Sequence, residues 1–454
     1  MTRARLDGLY LLLLGCLLFV LIGSFMEGSG PNSMEDFRAY YYSSRCLLQH
    51  SDPYNASKLL HVYIAERGES SSDPILRGQR QGVTLCINLP AGVVYSLPFA
   101  MLPWGPAHVL WMILTAGSFI LAAYLMWDIG ADRAPVISGA LIAFCVVNSL
   151  NLLTIGNLAG IVVSLCTIAV WCFLKERFVA AGILCLAVSL AIKPHDAGLV
   201  WLFFFLAGSV YRKRTLQTMA LTAVLCLPAV LWVAHVSPHW LPELHSNLAV
   251  TSEHGGVNDA GPNTVSSKTA GMIISLQSVV SVFRDDPHFY NPVTYVICGI
   301  PLLLWSVTTL RTRSSAAKAW LALAAIAPLT MLVTYHRPYD AKLLLLTVPA
   351  CAMLWAEGGV IGWLALLVDT IGIAMTGDFP LALLVGLTNN LHPDITKFSG
   401  QMQYIALLRP VPLILLAMSV FYLWIYVLRC SGQALSGATL ARCSEAENAV
   451  EASA

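Results

Sequence analysis

Apolar residues in this chain come in long blocks separated by short polar breaks. Runs of roughly 17 to 25 apolar residues, enough for a helix to cross the hydrocarbon of a bilayer, fall near residues 8–26, 105–127, 134–150, 156–174, 178–192, 196–211, 216–236, 293–310, 318–334, 341–356, 359–376 and 410–428. The pattern predicts an all-α polytopic membrane protein with about 12 transmembrane helices. The first block follows Arg3 and Arg5, is long for a signal peptide and lacks an obvious small-x-small cleavage site, so it reads as a retained signal anchor.

One apolar stretch resists this scheme. Residues 88–102 are apolar but few, and Pro90, Pro98 and Pro103 interrupt them. Short cytoplasmic loops collect Lys and Arg. If residues 88–102 only dip in and return, then Arg133, Lys175, Arg177, Arg212, Lys213, Arg214, Arg311, Arg313 and Arg429 all fall on the side of Arg3 and Arg5. A full crossing would put nearly all of them outside. The expected chain therefore has one transmembrane domain over 1–429, both ends cytoplasmic. Its first extracytoplasmic loop, 27–104, holds interfacial helices and a re-entrant segment; a second long loop spans 237–292, and 430–454 is a small, polar, disordered tail.

Composition narrows the function. The 454 residues are 57% apolar and 11% charged, against roughly 25% charged in a soluble domain, and mean hydropathy is +0.70. A net charge of +1 leaves no global field to recruit nucleic acid or an acidic partner. Of the 12 cysteines, Cys16, Cys145, Cys166, Cys172, Cys185, Cys226, Cys298 and Cys351 lie in apolar runs, where a thiol is a small hydrophobe. Only Cys46 and Cys86 share a polar segment, and a bridge or two free thiols both remain open there.

Under this topology the polar segments 34–88, 148–157, 193–196, 237–291, 335–342 and 377–409 converge on the extracytoplasmic face, whereas the cytoplasmic loops are brief basic turns. Chemistry is expected on the far side of the membrane. Glu35 and Asp36 open a stretch of charges interleaved with Phe37, Tyr40, Tyr41 and Tyr42, which suits an interfacial helix. Asp36 either caps that helix or serves as a general base at the membrane edge. Lys193, His195 and Asp196 crowd around Pro194; the lysine either snorkels or, with His195, binds a phosphate. The densest polar cluster runs from Thr334 through Tyr335, His336, Arg337, Tyr339 and Asp340 to Lys342. It is either an interfacial turn or a set of cations and tyrosine faces for a phosphosugar with a lipid tail. Gly156 and Asn157 read as a turn and cap, and Asp369 as either a functional acid or a link between helices. His235, His239, His245, His254 and His288 lack the i, i+4 spacing of a helical metal site, and their loop is long enough to form a lid or an acceptor-binding surface.

In their order and spacing, the Asp36-Phe-Arg-Ala-Tyr-Tyr-Tyr block with Asp52-Pro-Tyr, the Pro-rich run from Asn88, Ile155-Gly-Asn157, Ile192-Lys-Pro194 and His336-Arg-Pro-Tyr-Asp340 resemble glycosyltransferase family 87. These are polytopic GT-C enzymes that include polyprenol-phosphate-mannose-dependent α-mannosyltransferases. The resemblance implies the GT-C fold and makes Asp36 the catalytic base. Lys193, His195, His336, Arg337, Asp340, Tyr40 and Asn157 then line the donor phosphate and sugar pocket. Two departures, Asn88-Leu-Pro90 for a frequent Tyr-Pro-Pro and Gly156-Asn157 for a frequent Gly-Gln, bear on which sugar is moved.

The implied activity is inverting transfer of a hexose, mannose by the weight of the family, from a polyprenyl phosphate to a lipid or glycan acceptor. It would take place at the outer face of the cell's inner (plasma) membrane. No metal or other cofactor is expected where the site's own cations suffice. Intramembrane ions and broken helices also mark transport pathways, so a lipid-linked sugar transporter or flippase is the rival class, with a ligase using a lipid-diphosphate donor as a third.

Overall fold

The computed structural model describes residues 2–29, 34–67, 83–262, 273–312, 315–388, 391 and 393–451, and among these every regular element is helical. Seven helices are long and apolar enough to span a bilayer: Arg3–Ser29, Trp104–Gly130, Pro135–Thr154, Val210–Val236, Pro287–Arg311, Ala316–Val333 and Val411–Ser431. Shorter apolar helices, Ala159–Leu174, Val179–Ile192, Pro194–Leu206 and Gly359–Met375, stand among them. A 3₁₀ segment, Asp340–Thr347, leads into the helix Val348–Glu357. The chain is an all-α polytopic membrane protein. Length and composition single out 7 helices, fewer than the 12 apolar runs, because breaks such as Lys193-Pro194 hold the shorter helices to 13 to 17 residues.

The helix Ala316–Val333 occupies the centre, buried at every position from Ala319 to Leu332. It packs against Pro194–Leu206, Pro287–Arg311, the 3₁₀ segment and the last helix. Peripheral helices show large apolar side chains outward, among them Leu13, Leu17 and Leu21 on the first and Val224 and Leu231 on Val210–Val236. Such broad apolar exposure marks a lipid-facing surface. The first helix packs closely on Pro135–Val147 through Gly8, Gly15 and Gly139. A Cβ at Gly139 would run into the Gly8 backbone, so the contact uses the small residues typical of membrane helix pairs.

Ion pairs gather the basic turns at one end of the bundle. Arg5 reaches Asp128 at 3.0 Å, Lys175 reaches Asp132 at 3.2 Å and Arg214 reaches Glu176 at 3.5 Å. At the other end of the first helix, the following loop folds into the helices Glu35–Leu48 and Ala56–Arg67 and the two short helices Pro90–Tyr95 and Leu97–Ala100. Side chains of the first loop donate to carbonyls of the Pro-rich run. Tyr54 donates to Asn88, Ser44 to Val93 and Tyr41 to Leu102, at 2.7 to 2.8 Å. Glu35–Leu48 is therefore buried on most sides by protein. Cys46 and Cys86 are buried free thiols.

Two buried charges are structural. Lys342 donates to the Asn148 and Thr376 carbonyls, each at 3.2 Å, so it caps two helix C-termini. Asp369 accepts from Thr347 at 2.9 Å and from Tyr422 at 2.8 Å, joining the 3₁₀ segment to two helices. The last helix is drawn as Val411–Glu451.

Replacing Lys342 with Met keeps its length and removes the donor from both carbonyls. Unsatisfied buried groups cost roughly 1–3 kcal/mol, so Lys342→Met should lower the unfolding midpoint of the detergent-purified protein clearly. An unchanged midpoint would mean that the carbonyls find other donors.

Candidate active site

The site forms where three chain reversals meet. The first is the turn at 155–157. Gly156 has φ +69, and a Cβ there would strike the Met34 sulfur and the Phe37 side chain. Its hydrogen atom lets Glu35–Leu48 dock closely, with Met34 N–H donating to the Thr154 carbonyl at 2.7 Å and Asp36 N–H to Ile155 at 3.1 Å. Phe37 stacks on Trp111 at 4.4 Å between ring centroids, and the Trp111 indole donates to the Gly156 carbonyl at 3.0 Å.

This docking gives Asp36 its partner. Asn157 donates from Nδ2 to Asp36 Oδ2 at 2.7 Å, while its own Oδ1 accepts from Ala159 N–H at 2.8 Å. The second bond fixes which end of the amide faces the acid. Met34, in left-handed conformation, occupies the N-cap position of the helix, and no side chain caps it. Asp36 is not a helix cap. Tyr40 follows one turn later on the same face and is buried within electrostatic reach of Asp36 and Lys193.

The second reversal is Lys193-Pro194. A residue before proline is pushed out of helical conformation, and Lys193 has φ −136, ψ 81. Proline then starts the next helix, which places Asp196 in its first turn. The third reversal is the extended stretch from Thr334 to the 3₁₀ segment. It carries Asp340 to Lys193, with 2.7 Å between Nζ and Oδ1, while Lys193 stands 3.4 Å from Asp196. The Arg337 N–H donates to Asp340 Oδ2 at 2.8 Å, holding this carboxylate from its other side.

His336 is fully buried, with Nδ1 2.9 Å from the Thr334 carbonyl and Nε2 3.1 Å from Asp196 Oδ1. Both neighbours are acceptors, which favours a doubly protonated ring. Nδ1 is held by the Thr334 carbonyl, while Nε2 stands at ion-pair distance from Asp196 without a well-aligned hydrogen bond. His195 packs edge-on against His336, 5.1 Å between centroids, and is partly exposed. Arg337 donates to the Tyr335 hydroxyl through Nε and to the Val257 carbonyl at 2.9 Å through Nη2, so it ties this cluster to the long loop.

Electrostatics separate the acid from the cations. Burial raises the Asp36 pKa above its ordinary 3.8, and the Asn157 bond together with the charges of Arg337 and Lys193 only partly offsets that. Burial opposes a charge on Lys193, yet Asp196 and Asp340 outweigh it and raise the ammonium pKa. For His336, burial is likewise outweighed by contact with Asp196 and the charge of Asp340, and the pKa rises above 6.5.

The family model for glycosyltransferase family 87 matches residues 88–335. The chain belongs to this family. No curated protein and no solved structure matches it. The protein is therefore a membrane glycosyltransferase. The matched stretch holds Asn157 and Lys193, while Asp36, His336 and Asp340 lie outside it and join them only by tertiary contact.

All seven expected donor-site residues and Asp36 thus fall in one neighbourhood of this glycosyltransferase. Asp196, to which the sequence pattern assigns no role, contacts both Lys193 and His336. An acid in the first turn after Lys-Pro was the available signal. His195, Asp196 and His336 offer ligand atoms within 4.8 Å of one another and could hold a divalent cation, but the Lys193 ammonium already stands at Asp196. A second such group, His254, Asp259 and Asp285, lies in the long loop.

Gly156→Ala tests the docking. Forcing a Cβ into left-handed backbone costs roughly 1–3 kcal/mol, and displacing a reacting group by about 1 Å can lower a rate about 100-fold. The variant should insert normally yet transfer sugar at least 10-fold more slowly, an estimate on the order of the lower end of that effect. A wild-type rate would show that the helix tolerates the displacement.

Proposed function

We propose that this glycosyltransferase moves a hexose, with mannose the family-weighted choice, from a polyprenyl phosphate to a lipid or glycan acceptor, with inversion, at the extracytoplasmic face. The observation that carries this reading is the pairing of one carboxylate, Asp36, oriented by Asn157, with a separate group of cations built on Lys193 and Arg337. In this reading the acid serves the attacking hydroxyl and the cations serve the leaving phosphate.

In the proposed reaction an acceptor hydroxyl gives its proton to Asp36 as its oxygen attacks the anomeric carbon. The bond from that carbon to the phosphate oxygen breaks on the opposite face, and the electron pair leaves with the polyprenyl phosphate. Lys193 and Arg337, with His195 at the exposed edge, stabilise the charge gathering on the phosphate. Asp340 and Asp196 hold Lys193, and His336 holds Asp196, so these are positioning residues. A lipid donor also accounts for a bundle of apolar helices as the scaffold, since its tail stays in the bilayer while its head reaches the helix ends. A transporter would carry its ionisable groups along a path through the midplane. Here they gather at chain reversals.

Asp36→Asn should abolish transfer from a radiolabelled polyprenyl-phosphate mannose while leaving expression and membrane insertion intact; turnover at the wild-type rate would remove Asp36 from the base role. Lys193→Ala should raise donor KM, and an unchanged KM would count against the phosphate site. The pH profile has a definite sign. Asp36 must be ionised, so its raised pKa moves the acid limb of kcat/KM above pH 3.8. His336 supports the cluster while protonated, so activity should fall again as pH rises through its raised pKa, above 6.5.

A further inference from the structure

Beside this charged cluster, on the other side of Tyr335 and Arg337, lies a recess of a different chemical character. It has a volume of about 180 Å³ and sits between the long loop, the stretch Ser275–Gln277, the first turns of Pro287–Arg311 and Tyr335. Ser252, Asn258, Ser275, Gln277, Asn291 and Tyr335 bring hydroxyl and amide groups to it, with the Tyr290 and Tyr295 rings at one side. Among the described residues that line it, none is charged.

Gln277 points to a ligand. Its Nε2 donates to the Val333 carbonyl at 3.1 Å, which fixes the amide orientation, because a flip would set oxygen against oxygen. Among the described residues its Oε1 then has no hydrogen-bond partner, although the residue is 93% buried, being 7% exposed. A buried amide oxygen without a donor is costly unless a ligand or water supplies one. A single water needs roughly 10–15 Å³ of such space, so the recess takes on the order of a dozen heavy atoms, the size of one hexose ring with its hydroxyls. Donor groups on the ligand, amide and hydroxyl acceptors on the protein, and tyrosine faces beside them suit a neutral sugar.

The recess also has the right neighbour. Arg337 contacts both Asn258 and Tyr335 of its lining, and Asp36 is electrostatically coupled to Arg337 and Tyr335. We infer that this recess binds the uncharged terminal sugar of the acceptor glycan, with Gln277 Oε1 accepting from one of its hydroxyls. This rests on the proposed transferase reading and adds to it the chemical class of the acceptor: a neutral, hydroxyl-bearing sugar end, whether free or carried on a lipid.

Saturation-transfer difference NMR on the detergent-purified full-length protein tests it, with methyl α-D-mannopyranoside as the neutral probe and mannose 6-phosphate as its charged counterpart. The neutral probe should give a signal that falls at least threefold, an estimate on the order of one lost hydrogen bond, in Gln277→Met and in Asn291→Ala. It should persist in Lys193→Ala and Asp36→Asn. Should Gln277→Met fail to fold, as its melting curve would reveal, Asn291→Ala and the rim variant Tyr295→Ala carry the comparison. No signal with the wild type, an undiminished signal in the recess variants, or loss of signal in Lys193→Ala would each overturn the assignment. Wild-type transfer by Asp36→Asn would instead defeat the transferase mechanism and leave this binding site standing.

Discussion

A largely desolvated ammonium needs counter-charge, and the three chain reversals of the site are arranged around meeting that of Lys193. Asp340 reaches it from one side and Asp196 from the other, and His336 in turn holds Asp196. Breaking such a group by removing one member leaves an uncompensated charge, which costs several kcal/mol, on the order of 3–5. The helix break at Pro194 and the 3₁₀ segment at Asp340 are therefore bound to one another, and the central helix Ala316–Val333 delivers the chain to that junction.

Opposite the cations stands an acid secured by different means. Among the described residues no ammonium or guanidinium forms a salt bridge with Asp36; a neutral amide orients it, and burial holds its affinity for a proton above that of an ordinary carboxylate. A salt bridge would have made it a weaker base. The aromatic packing of Phe37 on Trp111, the absence of a side chain at Gly156 and backbone hydrogen bonds to the turn at 154–156 bring it to this place. The two halves of the site are thus tuned separately, one by charge and one by packing.

Not every conspicuous charge serves the chemistry. Lys342 and Asp369 lie at or near the apolar runs and close helix ends or link helices. Arg409 donates to the carbonyls of Ala260, Gly261 and Ser278, which pins the long loop to the bundle beside the neutral recess. In each case backbone groups that water would otherwise solvate take a side-chain partner instead. Near the membrane, structural and functional ions look alike in sequence, and only their partners separate them.

Apolar run length and the scarcity of charge were sufficient to read a polytopic helical membrane protein from the sequence, because no water-facing domain can be covered with so few polar residues. The ordered blocks at Asp36, Asn157, Lys193 and His336 were legible for the same kind of reason: ionisable groups beside apolar spans need partners or substrates. What the linear chain could not decide was who those partners are. Asp36 and Asn157 are 121 residues apart and Lys193 and Asp340 are 147 apart, so the placement of His336 beside Asp196, the capping role of Lys342 and the neutral recess at Gln277 arise only when helices pack. Hydrogen bonds and ion pairs act over a few ångströms, and that distance is set by the tertiary fold.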